Sequence, residues 1–255
     1  MRISAIVITK NAERTLRRCL ESVAWADETI VVDCGSTDRT LDICRDLSVR
    51  IHETPDWPGF GPQKNRALDL AAGDWVFSID ADEWVTPELR AAIERTLVDA
   101  SDKAAFAIPR RSSFCGRFMH HSGWWPDYVV RLFRRDRARF SEDNTHERLI
   151  VNGPTDKLKE ALMHEAITDL DQMLAKMNAY STNTALMLHQ RGKRASLFTA
   201  LLHGGWAFIR TYFLRLGFLD GREGFMLAVA NAEGSYYRYL KLMLLSEKTG
   251  RENGK

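Results

Sequence analysis

The first hundred residues alternate between short continuous apolar runs and stretches in which apolar positions recur every three or four residues. The continuous runs are Ile3–Thr9, Thr29–Asp33, Val49–His52 and the run that ends at Asp80. Such runs are typical of strands buried on both faces, and the three-to-four spacing is typical of amphipathic helices. Thr86 followed by Pro87 marks the start of a further helix, which we expect to run to about Ala100. The pattern predicts an α/β fold with a largely parallel sheet in three layers.

The pattern changes after Ala104, where shorter strand-like runs separated by polar turns replace this alternation. These runs are Ala105–Ile108, Ser113–Phe118, Tyr128–Phe133 and Arg148–Val151. From Thr168 onward the apolar positions follow helical spacing, with further helices over Ser196–Leu216 and Phe225–Leu245. We therefore expect one α/β domain over residues 1–165 and a helical C-terminal extension over residues 166–255.

The predicted helix over Ser196–Leu216 has a large apolar face. Apolar residues at 198, 201, 202, 206, 209 and 213 share that face, and arginines stand at 210 and 215. We expect the face to pack against the α/β domain. The alternative left open is an interfacial helix, whose aromatic residues enter the inner leaflet of a membrane while its arginines lie near the headgroups.

Composition and charge are those of a globular protein, with 45% hydrophobic and 27% charged residues and a net charge of only +2, which gives no global field for nucleic acid. Positive charge is local, since eight arginines lie in the segment from Arg110 to Arg139. They form either a solvated strand edge or a surface for an anionic substrate or lipid headgroups.

The four cysteines show no metal-type pairing, no signal-peptide pattern precedes the first strand, and no apolar run approaches the roughly 18 residues of a membrane span. We expect a cytoplasmic protein, peripheral at the cytoplasmic face of the inner membrane if the interfacial helix exists.

Three carboxylates, Asp80, Asp82 and Glu83, follow directly on the apolar run that begins at Trp75. A strand that ends in so much charge is expected to deliver it to the carboxyl edge of the sheet, where open α/β folds bind their ligands. Alternate residues of a strand share a face, so Asp80 and Asp82 can hold one divalent cation that carries a phosphorylated substrate. A solvated acidic turn is the simpler interpretation of the same residues.

Two more groups of residues strengthen the interpretation as a binding site. Asp33 ends another of the predicted parallel strands and is expected at the same edge. Lys64, Asn65 and Arg66, near the start of a predicted helix, supply cationic and amide groups that suit a pyrophosphate. Carboxylates for a ribose or base, cations for phosphates and an Asp-x-Asp for a metal together indicate a nucleotide-diphosphate site.

Four successive motifs resemble those of family 2 glycosyltransferases of GT-A fold. They are Ile6–Asn11, Val31–Asp38, Lys64–Ala67 and Asp80–Glu83. Four later segments resemble the lipopolysaccharide-core β-1,4-glucosyltransferases within that family. They are Gly123–Asp127, Arg131–Arg135, His146-Glu147 and Gly217–Gly221. The resemblance implies a Rossmann-like α/β/α domain with a mostly parallel mixed sheet, in which residues 3–100 bind a nucleotide sugar and residues 101–165 form the acceptor side.

The resemblance also implies a reaction, the inverting and metal-dependent transfer of a hexose, expected to be glucose, from a UDP-sugar. The acceptor is expected to be a saccharide of the lipopolysaccharide core or another cell-envelope glycan or glycolipid. The residues then expected to bind the donor are Thr9, Asn11, Asp33, Lys64, Asn65, Arg66 and Asp80. Asp80 and Asp82 are expected to hold Mg²⁺ or Mn²⁺, which neutralises the charge on the departing UDP.

Inversion needs one carboxylate to take the proton of the attacking acceptor hydroxyl, and the sequence offers Asp127 and Glu147. We prefer Asp127, because Trp124 and Trp125 before it can stack on a sugar and their apolar surface can raise the pKa of the carboxylate. An ion pair with a nearby arginine is the alternative role for Asp127. Glu147 is the rival base, and its neighbour His146 is expected as a third metal ligand.

Two other functions are left open. A sugar nucleotidyltransferase shares a GT-A-like core, but it typically has a glycine-rich basic loop after the first strand, where this chain has Thr9-Lys10-Asn11. A non-catalytic carbohydrate-binding protein could stack sugars on the seven tryptophans, but it would have no reason to place Asp33, Asp80 and Asp82 on one edge. The sequence does not name the acceptor, and it does not determine the oligomeric state.

Overall fold

The computed structural model describes residues 1–99, 102–142 and 147–253, with side chains up to residue 248. The chain forms two compact units, one of Met1–Arg111 and Asp127–His164, the other of Ser112–Pro126 and Glu165–Lys255. The predicted division into residues 1–165 and 166–255 differs in the segment Ser112–Pro126, which belongs to the second unit. Phe114 and Met119 of that segment are buried in the same apolar cluster as Leu227. A strand-like pattern shows that a segment is extended, but it does not show which core the segment joins.

Strands and helices alternate in the N-terminal part of the first unit, as expected. The strands are β1 (Ile3–Thr9), β2 (Glu28–Asp33), β3 (Arg50–Glu53), β4 (Trp75–Ser78) and β5 (Glu83–Val85). The helices are α1 (Leu16–Ser22), α2 (Thr40–Asp46), α3 (Phe60–Leu70) and α4 (Pro87–Val98). The Thr86 hydroxyl accepts a hydrogen bond from the Leu89 N–H at 3.2 Å, which confirms the predicted cap of α4.

The remaining strands are short apart from two, and three helices follow them. The strands are β6 (Ala105–Phe114), β7 (Arg117–Phe118), β8 (Asp127–Arg134), β9 (Ala138–Phe140), β10 (Leu149–Val151), β11 (Thr155–Lys157) and β12 (Leu162–Ile167). The helices are α5 (Leu170–Gln190), α6 (Leu197–Ile209) and α7 (Gly221–Asn253). The helix predicted over Ser196–Leu216 is therefore α6 together with a π-helical turn at Arg210–Leu214.

The main sheet has the strand order β3-β2-β1-β4-β8-β6-β12-β5. Strands β1 to β4 are parallel where they pair, and β8 is antiparallel to both β4 and β6, so the sheet is mixed. Strands β9 and β10 form a separate antiparallel pair. Successive residues of β1 enter different apolar clusters, Ile6 one and Val7 the other, as expected for a strand covered on both faces. The predicted α/β fold, with a mixed sheet and a helical C-terminal region, is confirmed.

The second unit is built on α7, against which α5 and α6 both pack. Asp220 is buried just before α7 and accepts hydrogen bonds from the backbone N–H groups of His120 and His121, both at 3.0 Å. These bonds attach the segment that precedes β8 to the start of α7. Among the helices in the described part of the chain, none has the length and apolar character needed to cross a bilayer.

Helix α6 does not bury its large apolar residues. Phe198 is 69% exposed and Trp206 is 53% exposed, whereas Ala200 and Ala207 are buried. The expectation that the large apolar residues pack into a core is therefore wrong. Helical spacing identifies which residues share a face, but not what that face contacts.

Candidate active site

The carboxyl edge of the parallel strands carries the residues that the sequence singled out. Thr9 at the end of β1 is in register with Asp33 at the end of β2. Strand β4 is parallel to β1 and ends at Ser78, two residues before Asp80. Asp33 and Asp80 therefore lie at the same edge of the sheet, as predicted.

A cavity of about 440 Å³ opens at this edge. It is lined by Ile8, Thr9, Lys10, Cys34, Trp57 and Phe60. The Trp57 and Phe60 rings meet edge to face with centroids 4.9 Å apart, and about half of each side chain is exposed. Thr9 Oγ1 is buried and has no hydrogen-bond partner among the described residues. An aromatic wall beside an unpaired polar atom suits a planar base that carries its own donors and acceptors.

Trp57 and Phe60 are functional candidates that the sequence reasoning missed. The signal was available, since two large aromatic residues stand in a Pro- and Gly-rich loop over residues 54–62. No strand or helix period assigns a core position to residues in such a loop, so their exposure points to a ligand.

Asp33 and Asn11 shape the loops beside the cavity. Asp33 is fully buried, and its Oδ1 accepts hydrogen bonds from the N–H groups of Gly35 at 2.9 Å and Ser36 at 2.8 Å. Asn11 has a φ of 51°, and its Oδ1 accepts a hydrogen bond from the Thr37 N–H at 2.8 Å. These bonds hold together the loops that follow β1 and β2. The predicted contact of both residues with a donor nucleoside stays a prediction.

Four carboxylates and three cations alternate in one continuous series of ion pairs, which we call the charge series. In order, its members are Asp127, Arg110, Glu83, Arg131, Asp80, Lys64 and Glu147. Arg131 is the central cation and is only 6% exposed; its Nη2 donates to Glu83 Oε1 at 2.6 Å and also to Asp80 Oδ2. Arg131 lies within β8, so the sheet itself carries the cation that holds the two carboxylates.

The two central carboxylates differ in environment. Burial raises the pKa of the Asp80 carboxyl, but Arg131 and Lys64 together lower it further, so the pKa lies well below its usual range and Asp80 is ionised. Burial also raises the pKa of Glu83; Arg131 lowers that pKa, and the charge on Asp80 raises it again, leaving it above its usual value. Glu83 has no exposed side-chain surface, whereas a third of the Asp80 side chain is exposed. Asp80 thus faces outward, and Glu83 supports it by accepting its backbone N–H at 3.0 Å.

The two candidate bases occupy the ends of the charge series. At one end, Asp127 Oδ2 lies 2.7 Å from Arg110 Nη2, and Arg110 Nη1 lies 3.6 Å from Glu83 Oε1. At the other end, Glu147 Oε1 lies 3.3 Å from Lys64 Nζ, which is 3.1 Å from Asp80 Oδ1. The arginine pair that the sequence left open for Asp127 is present. Trp124, expected to stack on a sugar beside Asp127, packs its ring against Phe114 within the second unit.

Asp82 is the carboxylate of the Asp80-Ala81-Asp82 motif that is left outside the charge series. Its Oδ2 lies 3.5 Å from His164 Nε2, and 40% of its side chain is exposed. Strand β12 brings His164 there, because it pairs antiparallel with β5 and sets His164 opposite Glu83. No local pattern in the sequence singles out His164, since its partner lies about eighty residues away along the chain.

Asp82 and His164 are the residues of this site that suit a divalent cation. Within the described ranges, no three or more His, Cys, Asp or Glu side chains form a ready metal cage. The Asp82 carboxylate, with the diphosphate oxygens of a substrate and waters, is nevertheless a sufficient donor set, since Mg²⁺ is usually bound through one or two carboxylates plus substrate phosphates. His164 beside Asp82 would orient that carboxylate or add a nitrogen donor. Asp80, also predicted as a ligand, has Oδ1 paired with Lys64 and Oδ2 paired with Arg131, and its contact with a metal stays a prediction. His146, the predicted third ligand, lies outside the described residues.

A family model described as "Glycosyl transferase family 2" matches residues 4–154. The chain belongs to this family. The match covers the whole charge series and the aromatic cavity, so both belong to the glycosyltransferase domain itself.

Several relatives of this family 2 glycosyltransferase match nearly the whole chain. An uncharacterized glycosyltransferase of Rickettsia conorii is 32% identical over 97% of this chain and 91% of its own length. The lipopolysaccharide core biosynthesis glycosyltransferase LpsC of Rhizobium meliloti is 29% identical over 93% of this chain and 89% of its own. Among solved structures, glucosyl-3-phosphoglycerate synthase from Mycobacterium tuberculosis, in complex with Mn²⁺, UDP and glucosyl-3-phosphoglycerate, is 26% identical with a TM-score of 0.37; the match spans 45% of this chain and 44% of that one.

Of the three residues predicted to bind the donor phosphates of this glycosyltransferase, Lys64 alone joins the charge series. Asn65 is buried, and its side-chain amide both donates to the Phe140 carbonyl (2.9 Å) and accepts from the Phe140 N–H (3.0 Å). Asn65 thereby fastens β9 to α3, and its predicted contact with the donor stays a prediction. Arg66 forms a two-point pair with Asp56, at 2.9 and 2.7 Å, so a phosphate would have to displace that carboxylate.

Proposed function

We propose that this family 2 glycosyltransferase transfers a hexose, glucose, from a UDP-sugar to a saccharide acceptor of the cell envelope, with inversion at the anomeric carbon. The observation that carries the proposal is the charge series at the same sheet edge as an aromatic cavity. The name of the relative LpsC supports an acceptor in the lipopolysaccharide core. Family membership supports the transfer of a sugar.

The donor is assigned to the sheet edge by its chemistry. The uracil base suits the cavity beside Trp57 and Phe60, whose rings can stack on it. The diphosphate suits the neighbourhood of Lys64, a cation on α3 whose side chain is only 7% exposed and pairs with both Asp80 and Glu147. A divalent cation held by Asp82 and His164 would supply Lewis-acid neutralisation of the charge that builds on the departing diphosphate.

The base is assigned by the geometry of inversion. In-line displacement puts the attacking hydroxyl on the side of the anomeric carbon opposite the departing diphosphate, and the base must lie on that side. Glu147 contacts Lys64 directly and is therefore on the phosphate side. Asp127 stands at the far end of the charge series, and we assign it as the base that takes the acceptor proton, with Arg110 orienting its carboxylate.

The test is incubation of the purified protein with a panel of UDP- and GDP-sugars and a truncated lipopolysaccharide, followed by mass spectrometry. We expect UDP-glucose to be consumed, with a mass gain of one hexose on the acceptor and release of UDP. Transfer with retained α-configuration, read by NMR of the product, would contradict inversion. Release of pyrophosphate from a sugar phosphate and UTP would instead identify a nucleotidyltransferase.

A further inference from the structure

Helix α6 packs with its small residues and presents its large ones outward. The buried residues of α6 are Ala200, Gly204 and Ala207, and Gly204 approaches α7 so closely that a Cβ there would lie 3.2 Å from Tyr236 Cβ. A surface helix in water normally does the reverse, with large apolar residues inward and polar residues outward. The large apolar residues that α6 turns outward are therefore those expected to contact an apolar environment rather than water.

The exposed apolar residues form one continuous strip, which we call the α6 face. It consists of Phe198, Leu201, Leu202, Trp206, Ile209 and Phe213, each between 45% and 69% exposed. It begins in α6 and continues into the π-helical turn, a length of roughly 25 Å at a rise of about 1.5 Å per residue. Contiguous apolar surface of this extent marks an interaction site rather than ordinary surface.

The charge around the α6 face specifies the kind of partner. The chain has 34 acidic residues in 255, yet none occurs in the 48 residues from Gln172 to Leu219. Five exposed cations lie in the same stretch: Arg191, Lys193, Arg194, Arg210 and Arg215. A second copy of this face would bring like charges together, which disfavours self-association. An anionic surface would be attracted to both ends of the face.

We propose that the α6 face binds the surface of a phospholipid bilayer that contains anionic lipids. Helix α6 lies in the plane of the interface, with Phe198, Trp206 and Phe213 in the boundary between headgroups and acyl chains and the arginines beside lipid phosphates. The helix does not need to span the bilayer, in agreement with the absence of a spanning segment among the described helices. The attachment is independent of which sugar the enzyme transfers, and it would select acceptors held at a membrane surface.

Flotation on a density gradient tests the proposal with two vesicle compositions, phosphatidylcholine alone and phosphatidylcholine with about 30% phosphatidylglycerol. We expect the full-length protein to float with the anionic vesicles at about 0.05 M salt, and to lose at least about tenfold in partitioning with neutral vesicles or at about 0.5 M salt. The double variant Phe198→Ser/Trp206→Ser should partition onto anionic vesicles at least about tenfold more weakly than the wild type. Val98→Ser is the matched control, because Val98 is 78% exposed on α4 and should leave flotation unchanged.

Circular dichroism and the thermal midpoint of each variant establish that it is folded, and sedimentation equilibrium reports self-association. Wild-type protein that stays at the bottom of the gradient with every vesicle at low salt overturns the proposal. Equal flotation of the double variant and the wild type also overturns it, since the α6 face would not carry the binding. A wild-type dimer that becomes a monomer in the double variant would assign the face to a second copy instead.

Discussion

Asp127 and Glu147 occupy the two ends of one ion-pair series, with five side chains between them. Each end carboxylate contacts one cation, Arg110 or Lys64, whereas the central Arg131 contacts two carboxylates. Replacing Asp127 by Asn, or Glu147 by Gln, therefore removes one negative charge and leaves the buried ion pairs of Arg131 in place. The two candidate bases can be compared on the same intact scaffold.

Asp127→Asn is expected to lower kcat by about 10²–10⁴-fold, because an amide cannot take the acceptor proton, while the Kd for UDP-glucose stays within about twofold of the wild type. Steady-state kinetics and calorimetry measure the two quantities. Glu147→Gln is the companion variant and should lower kcat by less. Intact UDP-glucose binding in both variants, with turnover abolished only by Glu147→Gln, would make Glu147 the base.

Asp82→Asn is expected to lower turnover by about 10²-fold or more with the fold intact, because Asp82 is the carboxylate left to hold a divalent cation. EDTA should inactivate the wild type reversibly. His164→Gln should raise the Mn²⁺ concentration for half-maximal activity by about 10- to 100-fold, measured by metal titration. His52→Gln, an exposed histidine on β3, is the control. Full activity of the wild type in EDTA would remove the metal from the mechanism.

Arg131→Gln is expected to destabilise the protein by about 3–5 kcal/mol, because it leaves Asp80 and Glu83 without their shared buried cation. Arg139→Gln is the matched control: its pair with Asp69 has a similar N–O distance of 2.8 Å, but both side chains are 59% exposed. Pairs of that kind contribute about 0–1 kcal/mol. Urea denaturation at neutral pH measures both variants. An equal loss of unfolding free energy in Arg131→Gln and Arg139→Gln would show that Arg131 is not the centre of a buried network.

Trp57→Ala is expected to raise the Kd for UDP about tenfold, since stacking of a base on an aromatic ring contributes about 1–3 kcal/mol, and to change kcat little. Calorimetry with UDP is the measurement, and Val98→Ala on α4 serves as the control. A Kd that does not change in Trp57→Ala would move the nucleobase out of the cavity.

Local patterns in the sequence determined the strands and the edge at which the site lies. The run Ile3–Thr9 matches β1 residue for residue, because a strand buried on both faces is a nearly continuous apolar run. The ends of β2 and β4 then place Asp33 and Asp80 together, since parallel strands share a carboxyl edge. These inferences need only the periods of strands and helices and the chemistry of the residues at their ends.

The tertiary structure alone decided which side chains are partners. Arg131 was one of eight arginines assigned to a surface, and the fold buries it between Asp80 and Glu83. His164 reaches Asp82 through the pairing of β12 with β5, across about eighty residues. The α6 face was recognised from its spacing, but its exposure depends on Gly204 and its neighbours packing against α7. Spacing along a chain reports which side chains share a face, whereas partnership depends on long-range packing that no local pattern encodes.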